Sequence, residues 1–94
     1  MIGDDRRFQA ADRVAAKEVG GELVLLDLED GSFLVARGTG PRVWDLVSSG
    51  TGVQEIVRTV AARYGKSPEE VRVDVERFVE DLIERGFLVE VKPE

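Results

Sequence analysis

Residues 22–36 read Glu22-Leu23-Val24-Leu25-Leu26-Asp27-Leu28-Glu29-Asp30-Gly31-Ser32-Phe33-Leu34-Val35-Ala36. Two apolar runs flank an acidic, glycine-bearing segment. The first run, Glu22–Leu28, is nearly continuous and predicts a strand buried on both faces, with Asp27 at its exit. Glu29-Asp30-Gly31 predicts a turn, with Gly31 in the left-handed position. Ser32–Ala36 predicts the next strand. Upstream, Gly20-Gly21 supplies two adjacent residues tolerant of positive φ, as a tight hairpin requires. Arg13–Val19 before it is a weaker strand signal, because Ala15 and Ala16 are poor strand formers. Short connections make these three strands an antiparallel meander with Ser32–Ala36 at one edge. Residues 1–12 are polar, setting Arg6 and Arg7 against Asp4 and Asp5, and predict a flexible arm before a single domain over residues 13–94.

Downstream the period changes from strand to helix. Pro41 suits the first turn of a helix over Pro41–Ser48, with Val43, Trp44 and Val47 on one side. Gly50 stops it. Thr51-Gly52-Val53-Gln54 has capping-box spacing and predicts the start of a helix over Val53–Tyr64, ended by Gly65. Ser67-Pro68-Glu69-Glu70 is a second capping box. It opens a helix over Pro68–Arg85 whose stripe is Val71, Val75, Phe78, Val79, Leu82 and Ile83. Gly86 closes that helix, and Phe87–Val91 reads as a short strand or an extended tail. A three-stranded antiparallel sheet followed by three helices is an α+β domain in the order of a winged helix-turn-helix.

Composition narrows the function. The chain has 94 residues, no cysteine, no histidine and a formal net charge of −6. Disulfides, Cys/His zinc sites, thiol nucleophiles and histidine bases are excluded. No apolar run exceeds four residues, so neither a membrane span nor a signal peptide is expected. Asp27, Glu29 and Asp30 lack the calcium-loop pattern, and no lysine is placed beside a serine by any motif. Gly38-Thr39-Gly40 lacks the Gly-Lys-Ser/Thr that completes a phosphate loop. A cytoplasmic binding module without cofactor or metal is expected, not an enzyme.

A winged-helix DNA-binding transcriptional regulator is the alternative. Its recognition helix would be Pro68–Arg85, which carries seven acids and three arginines, net −4. Phosphate neutralisation supplies most non-specific DNA affinity, so this helix is poorly suited to the major groove. Trp44 and Tyr64 are expected to pack inward. Phe33 and Leu34 alternate, so one of them must point away from the core. The edge of Ser32–Ala36 carries no charge or proline to blunt it. Either an extended peptide adds there as a fourth strand, or Phe87–Val91 or the N-terminal arm covers it.

Three stretches carry a resemblance. Leu25-Leu26-Asp27-Leu28-Glu29-Asp30-Gly31-Ser32-Phe33, then Gly40-Pro41-Arg42-Val43-Trp44-Asp45-Leu46, then Val73-Asp74-Val75-Glu76-Arg77-Phe78-Val79-Glu80-Asp81-Leu82 resemble the PqqD-like family. These are the precursor-peptide recognition elements of ribosomally made peptide natural products. The match runs from about Val14 to Val91 and looks most like the stand-alone leader-binding members of lasso-peptide pathways. The resemblance implies a non-catalytic, winged-helix-like protein. It implies that a precursor's leader adds as an antiparallel strand, against the last helix. The bound precursor then passes to a cysteine-protease-like leader peptidase, and the core peptide to an ATP-dependent cyclase. Carried over by position, the pairing strand is Ser32, Phe33, Leu34, Val35 and Ala36. The facing wall is Val71, Arg72, Asp74, Val75, Phe78 and Val79, with Arg72 and Asp74 making charged contacts at the rim. Val35-Ala36-Arg37-Gly38 departs from the leu-asn common in the family after the aromatic residue.

Overall fold

A computed structural model describes residues 2, 3 and 5–92. The elements are strands β1 (Arg7–Ala10), β2 (Val14–Val19), β3 (Glu22–Asp27) and β4 (Phe33–Ala36), then helices α1 (Gly40–Ser48), α2 (Val53–Tyr64) and α3 (Pro68–Glu84), then strand β5 (Leu88–Val91). β2, β3 and β4 form the expected antiparallel meander in that order. The β2–β3 hairpin turns on Gly20 and Gly21, at φ 59° and 83°. Two successive positive φ values match the right-handed twist of the strands, and a side chain at either position would be strained.

The sheet is buried on one face only. Leu23, Leu25 and Asp27 point into the core, whereas Leu26 and Leu28 are exposed. This corrects the two-sided burial expected of Glu22–Leu28. The helices pack on a single face of an antiparallel sheet, so the alternate side chains meet water. Phe33 and Leu34 divide in the same way: Phe33 is 63% exposed, and Leu34 packs against the core.

The first twelve residues depart further from expectation. Met1 and Asp4 lie outside the described residues. Arg7–Ala10 is a strand paired antiparallel with β5, with Phe8 opposite Glu90 and Ala10 opposite Leu88. Phe8 is 1% exposed, among the largest fully buried side chains. Arg6 bridges to Glu90 at 2.8 Å and stacks over the Phe8 ring, 5.2 Å from its centroid. The segment read as an arm therefore completes the core beside Phe87 and Leu88.

The helices fall where the periodicity places them, with two local differences. Ser67 caps α3 by accepting a hydrogen bond from the Glu70 amide, as expected, at 3.3 Å. The expected Thr51 cap is absent: Gly52 is the N-cap of α2, with no side-chain cap bond. The Thr51 amide instead donates to the Leu46 carbonyl, closing the end of α1. Trp44 is buried as expected, while Tyr64 is 42% exposed and does not seal α2. Val53, Ile56, Val57 and Val60 of α2 meet Val71, Val75, Val79 and Leu82 of α3 in the core beneath the sheet.

Candidate functional site

The site begins at the edge of β4. β1 and β5 pair with each other, so neither covers β4, and β4 ends its sheet. The Asp27 amide donates to the Ser32 carbonyl at 2.8 Å, which sets the phase of the ladder. In an antiparallel pair the hydrogen-bonded residues alternate. With Leu25 opposite Leu34 and Leu23 opposite Ala36, Leu34 and Ala36 bond to β3. Phe33 and Val35 therefore direct their N–H and C=O groups outward. Among the described residues nothing pairs with them. The opposite edge, β2, carries Lys17 and Glu18, charges of the kind that discourage pairing. The β4 edge carries Phe33, Leu34, Val35 and Ala36 and no charge.

Beside this edge lies a groove of about 280 Å³. One wall is β4, the other is Asp74, Val75 and Phe78 of α3, and the end is closed by Thr39, Gly40 and Val43 at the start of α1. The volume is at the lower end for a ligand cavity, and suits one or two side chains of a chain lying along the strand. Asp74 and Phe78 also border a shallow, polar depression along α3 that includes Arg77, Glu80 and Glu84. The groove is thus apolar at its floor and acidic where it opens along α3.

The expected wall residues separate into three groups. Asp74, Val75 and Phe78 line the groove. Val71 and Val79 are buried in the core behind it. Arg72 borders a different concavity, with Gln54, Arg58 and Glu69 between α2 and α3, away from the groove rim expected for it. On the strand, Leu34, Val35 and Ala36 line the groove, and Phe33 shows its side chain to the far face of the sheet. Ser32 precedes β4; its amide is held by the Asp30 carboxylate at 2.8 Å. Sequence reading missed Arg37 and Thr39, which link β4 to α1, and Gly40 and Val43, which begin α1. Only the glycine before Pro41 hinted at a close approach there.

The turn preceding β4 is fixed by charge. Arg13 Nε donates to Asp27 Oδ2 at 2.8 Å, and Asp27 Oδ1 accepts the amides of Glu29 and Asp30. The Arg13 hydrogen bond, aided by those two amides, holds the Asp27 carboxyl below the usual carboxylate range against the opposing effect of burial. The Arg13 guanidinium is pushed up by the same hydrogen bond. Asp27, which with Glu29 and Asp30 lacks a calcium-loop pattern, has both carboxylate oxygens engaged by Arg13 and the turn itself.

Residues 22–88, which contain β3, β4, the groove and all three helices, match the family described as Coenzyme PQQ synthesis protein D (PqqD). The chain belongs to the PqqD family. Among curated proteins none matches this PqqD-family chain in sequence. Two solved structures share its fold. One is "TbiB1 in Complex with the TbiA(beta) Leader Peptide", 27% identical, with a TM-score of 0.79 over 90% of this chain and 99% of that one. The other is "Lasso peptide synthetase B1 complexed with the leader peptide", 17% identical, with a TM-score of 0.80 over 88% of this chain and 98% of that one.

Proposed function

We propose that this chain binds the leader segment of a ribosomally made precursor peptide, of the lasso-peptide kind, as an added antiparallel strand on β4. The observation that carries the reading is the bare β4 edge beside an apolar groove. Four outward backbone groups, on Phe33 and Val35, supply the affinity of strand addition, and the groove supplies side-chain selection. Ser32 to Ala36 form the pairing strand. Asp74, Val75 and Phe78 form the facing wall, with Val71 and Val79 holding α3 from the core side. Relatives solved with leader peptides support the same reading.

In this reading the protein is a non-catalytic adaptor in the cytoplasm. It presents the bound precursor to a separate leader peptidase, after which a cyclase closes the core peptide. The absence of histidine and cysteine from the whole chain fits a role whose chemistry belongs to partners. Among the described residues no helix is long and apolar enough to cross a membrane. The sheet followed by three helices is winged-helix-like, but the acid-rich α3 disfavours DNA. Titrating fluorescein-labelled leader segments encoded beside its gene, by fluorescence anisotropy, tests the proposal. Saturable binding is expected; none to any such leader removes the reading.

A further inference from the structure

Gly40 is the first residue of α1 and lines the groove. It is not among the glycines with positive φ, so its backbone does not call for glycine. Space does. A Cβ built on Gly40 would lie 2.8 Å from the Ala36 Cβ, closer than real Cβ atoms approach, and 3.8 Å from Phe78 Cζ. Ala36 and Phe78 both line the same groove. The smallest side chain on the strand and the missing side chain on the helix therefore meet at one point. At that point neither contributes a side chain large enough to fill the groove.

The ladder phase says what enters that space. A strand added to β4 bonds to Phe33 and Val35, and side chains opposite one another share a face of the sheet. Residues of the added strand opposite Leu34 and Ala36 therefore point to the α3 side, into the groove. They are two apart in sequence, because strand side chains alternate with period two. The residue opposite Ala36 arrives over the Ala36–Gly40 floor, against Phe78. We infer that Gly40 and Ala36 set the size of side chain this groove accepts, so that the added strand carries a bulky apolar residue opposite Ala36. The inference rests on the strand-addition reading above and adds the determinant of its specificity.

A selection with the full chain tests it, using short random peptides displayed on phage as the probe. Wild type is expected to enrich peptides with bulky apolar residues at two alternate positions. Gly40→Ala is expected to replace one of the two with a small residue. It is also expected to bind the wild-type-selected peptides roughly tenfold or more weakly, the scale on which a cavity discriminates one carbon. Ala36→Gly removes bulk from the same floor and is expected to admit a larger residue at that same position. It carries the test if Gly40→Ala proves misfolded by thermal melting. Identical preferences in wild type and both variants would overturn the role of the floor while leaving strand addition intact. If wild type enriches no peptides, or peptides whose binding is indifferent to Val35→Pro, strand addition itself fails.

Discussion

Arg13 and Asp27 bind each other at 2.8 Å through Nε and Oδ2, and this pair joins three parts of the chain. Asp27 is 2% exposed and anchors the turn between β3 and β4 through the amides of Glu29 and Asp30. Arg13, just before β2, also donates from Nη2 to the Arg85 carbonyl at the end of α3, 3.3 Å away. The strand that forms the groove edge and the helix that forms its wall are thus held by one ion pair, beside Gly86, where a Cβ would push the Arg13 guanidinium aside.

Acid stability follows from this pair. The folded pKa of Asp27 is lowered, so its contribution is present above the unfolded carboxylate value of about 3.9 and is lost as pH falls through the folded value. Glu90, held down by its hydrogen bond from Arg6, acts in the same direction. Thermal melts across the acid range are expected to show Tm falling steeply below about pH 4. Asp27→Asn is expected to lower Tm at neutral pH and to flatten that acid limb; an unchanged acid limb in the variant would separate Asp27 from the effect.

The β1–β5 ribbon is part of the cooperative unit. Phe8→Ala opens a cavity beside Phe87 and Leu88 and is expected to cost about 3–5 kcal/mol, a large share of the stability of a domain this size. Urea denaturation followed by circular dichroism checks this. A loss below about 1 kcal/mol would restore the reading of residues 1–12 as an arm outside the fold.

The ladder phase predicts opposite outcomes for neighbouring prolines. Val35→Pro removes an outward N–H, which edge strands tolerate, so the fold is expected to survive while strand addition fails. Leu34→Pro removes a donor to β3 and is expected to unfold the sheet. Without any ligand, hydrogen exchange is expected to be fast at the Phe33 and Val35 amides and slow at Leu34 and Ala36. Bound leader is expected to slow the first pair.

The groove wall predicts an order of binding losses. Phe78 is half-buried and lines the groove, so Phe78→Ala is expected to weaken leader binding by about 1–3 kcal/mol, roughly tenfold to a hundredfold in Kd. Val75→Glu is expected to weaken it still more, with melting as the control because Val75 is 1% exposed and also serves the core. Glu84→Ala, on the open depression beyond the groove, is expected to change binding by no more than about 0.5 kcal/mol. Anisotropy titration of one labelled leader against the three variants gives the ranking.

The sequence by itself determined the meander, its Gly20-Gly21 hairpin, the three helices and the Ser67 cap of α3. It also placed Val75 and Phe78 on one helical stripe and left Ser32–Ala36 unprotected. Those features rest on signals confined to a few neighbouring residues: period, turn chemistry and capping. Only the tertiary structure decided that Arg7–Ala10 pairs with Leu88–Val91. A lone Phe8 among Arg6, Arg7 and Gln9 has no period, and its partner lies at the far end of the chain. That pairing is also what leaves the β4 edge open, since it occupies both segments that stood as candidates to cover it. The one-sided burial of β3 and the displacement of Arg72 from the groove were likewise set by where the helices dock. The narrow approach of Gly40 to Ala36 belongs with them: no local pattern encodes a distance between a strand and a helix start, and packing alone creates it.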